Sequence, residues 1–334
     1  MDPVDPVALA RRLIDIDSTT GREGEAAGWL AGYLRGLGYV VTEQPLDNGR
    51  FNVFARTDAA PEVVLSTHVD CVPPFFASRE ERGLIVGRGA CDAKGIIAAQ
   101  VAAAERLRSA GEPRVGLLFV AGEERGSDGA ALANAQAPAG VRFLVNGEPT
   151  DNRLGLATRG VLRVRLHARG RAAHSSFPEL GESAIDKLLD ALMVVRGLNF
   201  PEDPLLGRTH YTVGLIEGGV APNVVSPAAS AELCFRIVAD AGPVLEALHV
   251  LEALVHVEHV LDISAVRLHT LPGFETAVFP YTTDVPLLTN WGTPLLVGPG
   301  SIHVAHTDHE HLAVDELYAA VDLYDRLVAR LLAA

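Results

Sequence analysis

Apolar residues recur at helical spacing early in the chain and predict two helices, at residues 6–16 and 24–37. Four short apolar runs lack clean alternation, which is typical of strands buried on both faces. These runs are residues 51–56, 63–67, 115–121 and 141–146. Because helical stretches at 95–109 and 127–136 separate the later runs, the pattern predicts an α/β layer with a largely parallel sheet.

The pattern changes near Thr158, after which a strand of alternating basic and apolar residues begins. The predicted elements are then a strand at 161–169, a helix at 182–197, strands at 210–217 and 229–238, a helix at 242–257 and a strand at 262–269. This βαββαβ order predicts an inserted α+β domain of the ferredoxin-like kind. An amphipathic helix follows at 314–332. The predicted fold class is therefore α/β, with a discontinuous main domain at 1–158 and 272–334 and an insertion at 159–271.

Composition narrows the class of protein. The 334 residues are 48% hydrophobic, which suits two folded domains and argues against disorder. With 42 acidic and 28 basic side chains, the net charge of −14 argues against binding nucleic acid or an anionic membrane. The three cysteines form no CxxC pair, no apolar run reaches the ~18 residues of a membrane span, and the start MDPVDPVALARR is unlike a secretory signal. We expect a soluble protein of a reducing, cytoplasmic compartment.

The predicted strand at 63–67 runs into His68-Val69-Asp70. Strand positions two apart face the same way, so His68 can bind a metal while Asp70 hydrogen-bonds it or a neighbouring group. A surface or capping role is the alternative for this short pattern on its own.

A glycine-punctuated turn, Gly87–Gly95, presents Asp92 just before a predicted helix. Glycine permits backbone geometry that other residues resist, so Asp92 can be held on a tight turn near a strand end. The GxGxxD spacing does not match the phosphate-loop or dinucleotide-binding fingerprints. Capping of the helix remains the alternative role.

Three glutamates follow the ends of predicted buried strands. Glu123 and Glu124 are adjacent and point different ways, so one could bind a metal while the other faces a water as general base. Glu148 follows the next strand, at the carboxyl edge where α/β sheets bind their ligands. An ordinary acidic loop is the alternative for the adjacent pair.

Four histidines in a late, glycine-preceded segment compete for one ligand role; they are His303, His306, His309 and His311. The alternatives for this cluster are a loop whose polar side chains are hydrogen-bonded within the protein and a second metal site. Together with His68, Asp92, Glu124 and Glu148, one of these histidines completes a set of two imidazoles and three carboxylates. Such nitrogen and oxygen donors suit two divalent ions that share one carboxylate, and favour zinc over calcium or magnesium.

Five motifs, in the order STHVDCVP, GRGACDAKG, AGEERGS, NGEPT and AHTDHEHL, resemble the M20 metallopeptidase family. That family includes acetylornithine deacetylase, succinyl-diaminopimelate desuccinylase and carboxypeptidase G-type enzymes. The resemblance covers nearly the whole chain and implies a zinc-peptidase-like catalytic domain with an inserted lid or dimerisation domain. It implies that His68, Asp92 and Glu148 hold one zinc ion. It further implies that Asp92 bridges to a second ion held by Glu124 and His306.

The resemblance also implies catalytic roles for three further residues. Glu123 would be the general base, and Asp70 would orient His68. His174, in the segment GRAAHSS, resembles the family histidine that stabilises the oxyanion, often in the active site of the partner subunit. A homodimer formed through the lid domain is therefore expected.

Substrate-binding residues are implied less directly. Asn223 in APNVV and Arg236 at the end of AELCFR occupy positions that contact substrate in relatives, the arginine through a carboxylate. A turn role for Asn223 and an exposed ion pair for Arg236 are the alternatives. Gly300 and Ser301 are further candidates for contacting substrate. Cys91 departs from the small or hydroxyl residue usual before the bridging aspartate, and we expect it to pack inertly.

The predicted function is a metal-dependent amidohydrolase that cleaves an N-acyl amino acid, most like acetylornithine deacetylase. Two divalent ions are the expected cofactors, with Zn²⁺ favoured and Co²⁺ or Mn²⁺ as alternatives. An M20 dipeptidase or aminoacylase is the main alternative. A non-catalytic metal-binding scaffold is a further one, although it would have no need of a general base such as Glu123.

Overall fold

A six-stranded sheet organises the first of two units into which the chain divides in this computed structural model, which describes residues 4–334. The first unit comprises Met1–Leu156, Leu268–Ala277 and Thr283–Ala334, and the second comprises Ala157–Arg267 and Val278–Thr282. Residues 1–3 of the predicted main domain lie outside the described residues. The grouping differs from the predicted insertion at 159–271 chiefly in segment 278–282, where the Phe279 carbonyl accepts a hydrogen bond from the Arg159 N–H at 3.3 Å.

The helices are α1 (Pro6–Ile14), α2 (Gly24–Gly36), α3 (Lys94–Ser109), α4 (Asp128–Ala135), α5 (Ala184–Gly197), α6 (Gly242–Leu248) and α7 (Val314–Ala333). The strands are β1 (Val40–Pro45), β2 (Phe51–Arg56), β3 (Val63–His68), β4 (Arg79–Glu81), β5 (Leu84–Val86), β6 (Val115–Val120), β7 (Phe143–Asn146), β8 (Leu154–Thr158), β9 (Gly160–Arg169), β10 (Glu202–Asp203), β11 (Gly207–Arg208), β12 (His210–Gly218), β13 (Ala228–Ile237), β14 (His256–Ile263), β15 (Val266–Arg267), β16 (Thr276–Phe279), β17 (Thr293–Leu296) and β18 (His311–Ala313). Across residues 4–334, no helix has both the length and the apolar character needed to span a membrane.

The sheet of the first unit is mixed, with strand order β1-β2-β6-β3-β7-β17. β6, β3, β7 and β17 run parallel, whereas β1 and β2 pair antiparallel at one side. The prediction of a largely parallel sheet holds for these four strands, but it did not include the antiparallel strands at this edge. β1 was missed because most of its side chains are exposed and its sequence, VVTEQP, lacks a buried apolar run.

Apolar side chains alternate between the two faces of this sheet. On β3, Val63 and Leu65 pack into the large core with α1, α3 and α7, while Val64 packs on the other face with α4 and Trp291. α3 is buried nearly all round, and its many alanines let α1 and α7 pack closely against it. The strands are therefore covered on both faces, as their unbroken apolar runs predict.

The ends of the parallel strands place the predicted site residues along one edge. β3 ends at His68, β6 is followed by Glu123 and Glu124, and β7 is followed by Glu148. The carboxyl ends of parallel strands meet at one edge of a sheet. Residues far apart in sequence are thereby brought near one another.

The second unit contains a four-stranded antiparallel sheet of order β12-β13-β9-β14, with α5 and α6 packed on the apolar side chains of β9 and β13. Two predicted boundaries were wrong. The helix predicted at 242–257 ends at Leu248 and is followed by a 3₁₀ turn, His249–Ala253, and the strand predicted at 262–269 is β14, His256–Ile263. The run LEALVHVEHV is apolar at both helical and strand spacing, so periodicity cannot place the boundary within it.

Candidate metal centre

The carboxylate of Asp92 lies between two histidines. Its Oδ1 lies 2.9 Å from the Nε2 of His68, which β3 carries to the carboxyl edge of the sheet. Its Oδ2 lies 3.2 Å from the Nε2 of His306. Each oxygen of one carboxylate thus faces a different imidazole, as expected for a ligand shared by two cations.

Glu124 belongs to the same cluster. One donor atom from each of His68, Asp92 and Glu124 lies within 4.8 Å of the others, and Glu124 Oε1 lies 2.9 Å from His306 Nε2. His306 has a φ of +64°, a left-handed conformation that is uncommon for a residue with a Cβ and is often found at functional sites. The structure therefore brings His306 to the carboxylates, although its side chain is 48% exposed. His303, His309 and His311 are likewise exposed or partly exposed.

Glu148 supplies a buried carboxylate oxygen that needs a partner. The residue is 5% exposed, and among residues 4–334 its Oε1 has no hydrogen-bond partner. Burial raises the pKa of Glu148 well above its usual value, against the opposing effect of His68. An unpartnered buried carboxylate is costly, and a divalent cation would satisfy it. The donor set of the site therefore fits a metal ion here.

The carboxylate of Asp70 anchors the turn that carries the two adjacent glutamates. It accepts hydrogen bonds from the N–H groups of Gly122, Glu123 and Glu124 at 3.0, 3.1 and 3.2 Å. His68 Nδ1 lies 2.9 Å from the main-chain oxygen of Asp70 but 3.5 Å from its carboxylate. The closer contact of the imidazole is thus with the main chain of Asp70, and the side chain mainly fixes the turn.

Glu123 begins that 3₁₀ turn, directly after β6. The preceding Gly122 has a φ of +83°, a conformation that favours glycine and allows the sharp change of direction. Burial and then the charge of Glu148 raise the pKa of Glu123 well above its usual value. A carboxylate with a raised pKa holds a transferred proton more readily than an ordinary one does, as a general base must.

The second unit contains three of the predicted site residues, His174, Asn223 and Arg236. The pairing of its strands places Arg236 far from the other two. His174 Nδ1 accepts a hydrogen bond from the Ser176 N–H at 3.1 Å, so a neutral ring carries its proton on Nε2. Asn223 is adjacent, since its carbonyl accepts from the Ser175 N–H at 2.9 Å. Arg236 lies at the other end of β13.

The separation follows from the pairing of β9 with β13. Ala228, at the end near His174, pairs with Arg169, whereas Arg236 pairs with Val161. Eight residues of strand span about 26 Å at ~3.3 Å per residue. Within one chain, the structure therefore brings His174 and Asn223 together but not Arg236.

Gly300 and Ser301 lie beside the turn that carries Asp92. Gly300 has a φ of +88°, and a Cβ there would come within 2.4 Å of Cys91 Cβ. Ser301 forms an isolated bridge with Thr150, and its carbonyl lies 3.8 Å from Cys91 Sγ. Burial raises the pKa of the Cys91 thiol well above its usual value. The contacts of both residues are thus with neighbouring turns, and the expected inert packing of Cys91 agrees with its surroundings.

Sequence reasoning missed three buried charged residues near these ligands. Arg88 and Glu310 are paired at 2.6 Å, and both lie inside quoted motifs without having been assigned a role. Asp284 is fully buried, and burial raises its pKa to about 6. Its Oδ1 has no hydrogen-bond partner among the described residues. Arg88 and Glu310 could have been noticed because they lie in the motifs GRGACDAKG and AHTDHEHL. Asp284 is a single acidic residue in TTDVPLL, and nothing in that sequence indicates a function.

Negative charge exceeds positive charge at this edge of the sheet. Hydrogen bonds to Asp92 and Glu124 raise the pKa of His306 to about 10, so without metal its imidazole holds a proton at neutral pH. A divalent cation that replaced such protons would balance the negative charge of the same carboxylates. The carboxylates concerned are those of Asp70, Asp92, Glu123, Glu124 and Glu148.

Nitrogen and oxygen donors at the carboxyl edge of an α/β sheet are the kind of ligands that metal-dependent hydrolases use. The sequence profile of Peptidase family M20/M25/M40 matches residues 64–330. The chain belongs to this family, whose members are metal-dependent hydrolases of amide and peptide bonds. The resemblance seen in the motifs is thereby confirmed.

Individual relatives cover nearly all of the chain. A probable carboxypeptidase of Aspergillus clavatus is 37% identical, with 96% of this chain and 81% of the relative covered. A tripeptidase of Staphylococcus aureus is 20% identical, with a TM-score of 0.80 over 97% of this chain and 98% of that one. A dinuclear metal-binding M20 peptidase of Bacillus subtilis is 14% identical, with a TM-score of 0.72 over 96% of each chain. The two solved structures show the same fold.

The raised pKa of His306 predicts how pH affects the metal-free protein. A folded-state pKa of about 10, against an ordinary 6.5, gives stability that is complete below pH 6.5 and lost as pH rises toward 10. The gap in melting temperature between wild type and His306→Gln should therefore narrow over this range. Thermal melts with chelator present measure it, and His303→Gln on the same loop is the control. A gap that stays constant with pH would contradict the prediction.

Proposed function

We propose that this protein is a two-metal peptidase that hydrolyses the amide bond next to a free carboxylate, as a carboxypeptidase or dipeptidase does. The observation that carries the proposal is the position of Asp92, whose two oxygens face His68 and His306. The similarity to a probable carboxypeptidase over 96% of the chain supports the substrate class.

For the ions, we propose that His68, Asp92 and Glu148 hold one, and that Asp92 bridges to a second held by Glu124 and His306. The 2.9 Å and 3.2 Å approaches of the two imidazoles to Asp92 support this division. Mixed nitrogen and oxygen donors favour zinc, with cobalt or manganese as alternatives. When bound, two such cations would polarise the scissile carbonyl and lower the pKa of a water molecule.

Glu123 is proposed as the general base. As the water oxygen attacks the carbonyl carbon, its proton passes to the Glu123 carboxylate, and the same proton then passes to the nitrogen as the C–N bond breaks. The products are a carboxylate and an amine. The three N–H groups that hold this turn on Asp70 support the role, because they fix the main chain from which Glu123 projects.

His174 is proposed to donate its Nε2–H to the oxyanion that develops on the substrate. Its Nδ1 accepts from the Ser176 N–H, which leaves Nε2 as the donor of the neutral ring. We propose that the substrate carboxylate is recognised by Arg236 of one chain and Asn223 of the partner subunit, because β13 separates the two residues within one chain. Arg163 and Arg165, on the same sheet, pair with Glu232, whereas Arg236 has no ion pair among residues 4–334.

N-acyl amino acids, including acetylornithine, are the second substrate class. They share with dipeptides and peptide C-termini an amide followed by a free carboxylate, so the same residues would recognise both. Dipeptides, N-acetylated dipeptides, N-acetylornithine and their C-terminal amides would be compared with and without chelator. Chelator-sensitive hydrolysis of the acids and slow hydrolysis of the amides are expected. A metal-loaded protein that cleaves none of them would favour the non-catalytic scaffold.

The second unit is proposed as a ferredoxin-like lid that also forms a homodimer. Its βαββαβ order and strand order β12-β13-β9-β14 support the first part. For the second part, the edge strand β12 exposes Leu215 and Ile216 at 59% and 58%, and the adjacent α5 exposes Leu189 and Met193 at 49% and 62%. We propose a reducing, cytoplasmic location, which the free thiols Cys71, Cys91 and Cys234 support.

Glu123→Gln should keep its metal and lose turnover. Without the proton acceptor, kcat should fall by about 10²- to 10⁴-fold. Elemental analysis measures metal content, and initial rates on a dipeptide measure kcat. The adjacent Glu124→Gln is the contrast, because it should lose bound metal as well. A Glu123→Gln enzyme with wild-type kcat would exclude this residue as the base.

Arg236→Ala should reduce the preference for a substrate acid over its C-terminal amide. A hydrogen bond to a charged group contributes about 1.5–3 kcal/mol, so the ratio of the two kcat/KM values should fall by about tenfold to a hundredfold. Arg236→Lys should restore part of the preference, because lysine keeps the charge but not the forked geometry. Arg165→Ala is the control; a ratio unchanged in Arg236→Ala would assign carboxylate recognition elsewhere.

Mixing two inactive variants should restore activity if His174 serves the partner's site. The ~26 Å between the two ends of β13 prevents one chain from placing both His174 and Arg236 on one small substrate. Glu123→Gln mixed with His174→Ala should then recover about a quarter of wild-type activity, since about half of the dimers are mixed and each has one complete site. Light scattering and differential tags would confirm mixed dimers. Mixed dimers without activity would place His174 in its own chain's site.

A further inference from the structure

A buried ion pair lies directly behind the turn that carries Asp92. Arg88 Nη1 donates to Glu310 Oε2 at 2.6 Å, and both side chains are 1% exposed. Arg88 also donates from Nε to the Pro74 carbonyl at 3.2 Å and lies over the ring of Phe76, 5.1 Å from its centroid. The guanidinium is therefore held on several sides, and it fixes the carboxylate that it faces.

The second oxygen of that carboxylate holds the main chain of the turn. Glu310 Oε1 accepts hydrogen bonds from the N–H of Cys91 at 3.3 Å and from the N–H of Asp92 at 3.2 Å. The main-chain oxygen of Glu310 accepts from the N–H of Gly87 at 3.1 Å. One residue thus holds both ends of the turn from Gly87 to Asp92.

The position of Glu310 in the chain connects this turn to the other side of the site. Glu310 follows His306 by four residues, and His306 Nε2 lies 3.2 Å from Asp92 Oδ2. Asp92 is therefore linked to the His306 loop twice, once through its side chain and once through its own N–H. The second link fixes where the Asp92 main chain lies relative to His306.

We propose that Glu310, held by Arg88, is a positioning residue that sets the carboxylate of Asp92 between His68 and His306. The inference rests on the proposed two-metal function, because it assigns Glu310 to the geometry of the shared ligand. A buried ion pair is weak evidence for stability, since apolar residues of similar volume often serve as well. The two N–H groups held by Glu310 give this pair a task that an apolar pair could not perform.

The test compares Glu310→Ala, which removes the acceptor, with Glu310→Gln, which keeps an oxygen for the two N–H groups. Leu331→Ala, a fully buried core position near the end of α7, is a control for a general loss of stability. Chelator competition measures the affinity for each of two Zn²⁺ ions. The visible absorption spectrum of the Co²⁺-loaded protein reports ligand geometry independently of activity.

We expect Glu310→Ala to weaken binding of at least one ion by about 10- to 100-fold and to alter the Co²⁺ spectrum. Its kcat should fall more than its KM changes, and Glu310→Gln should lie between Glu310→Ala and wild type. Leu331→Ala should melt earlier with an unchanged spectrum. Folded Glu310→Ala with wild-type affinities and spectrum would overturn the proposal.

Should Glu310→Ala fail to fold, the double variant Arg88→Met, Glu310→Leu decides, because it replaces the buried ion pair with apolar side chains and also removes the acceptor. An altered Co²⁺ spectrum in this folded variant supports the proposal, and a wild-type spectrum with wild-type affinities refutes it. The proposed function fails separately, if the metal-loaded wild type cleaves no substrate. The Zn²⁺ affinities and the Co²⁺ spectrum still test the role of Glu310 in that case.

Discussion

The structure depends on one constraint. Carboxylates are concentrated at the carboxyl edge of a buried sheet, and each needs a cation or a hydrogen-bond donor to compensate its negative charge. The charge of Asp92 is compensated by two imidazoles. The charge of Asp70 is compensated by three N–H groups of the turn that carries Glu123 and Glu124. Glu148 leaves an oxygen unpartnered among the described residues. Removing charged groups from water is expensive unless they are paired, so this edge fits cations better than any apolar ligand.

The turn that carries Asp92 is joined directly to the buried core of the first unit. α3 is buried nearly all round and begins at Lys94, two residues after Asp92, so the turn cannot shift without disturbing the core. Lys94 is itself buried and donates to the Ile16 carbonyl at 2.8 Å. Burial lowers the pKa of Lys94, because a charged ammonium loses its hydration there. Under the proposed function, such a turn would hold Asp92 in place before the metal ions bind.

The sequence singled out candidate ligands that the structure brings close together, whereas parts of the surrounding fold were not predicted. His68, Glu124 and Glu148 were recognisable because each follows an apolar run, and buried parallel strands bring their ends to one edge. Choosing His306 among four histidines required the family resemblance, since spacing alone does not distinguish them. β1 and the start of β14 were missed because an exposed edge strand and an ambiguous apolar run carry no decisive periodicity. Asp284 was missed because burial of a single acid cannot be read from its neighbours.

The register of the second unit limits how a substrate could be recognised. β9 and β13 pair without a shift along their whole length, so the distance between Arg236 and the His174 turn is fixed by strand geometry rather than by loops. A rigid spacer of about 26 Å exceeds the length of a dipeptide, which spans at most about 7 Å in the extended form. Substrates with a single amide and a single carboxylate therefore cannot be held from both ends of one sheet. Under the proposed function, the two ends of the sheet therefore act on different substrate molecules. The exposed apolar side chains of α5 and β12 offer a surface for the pairing of chains that this would require.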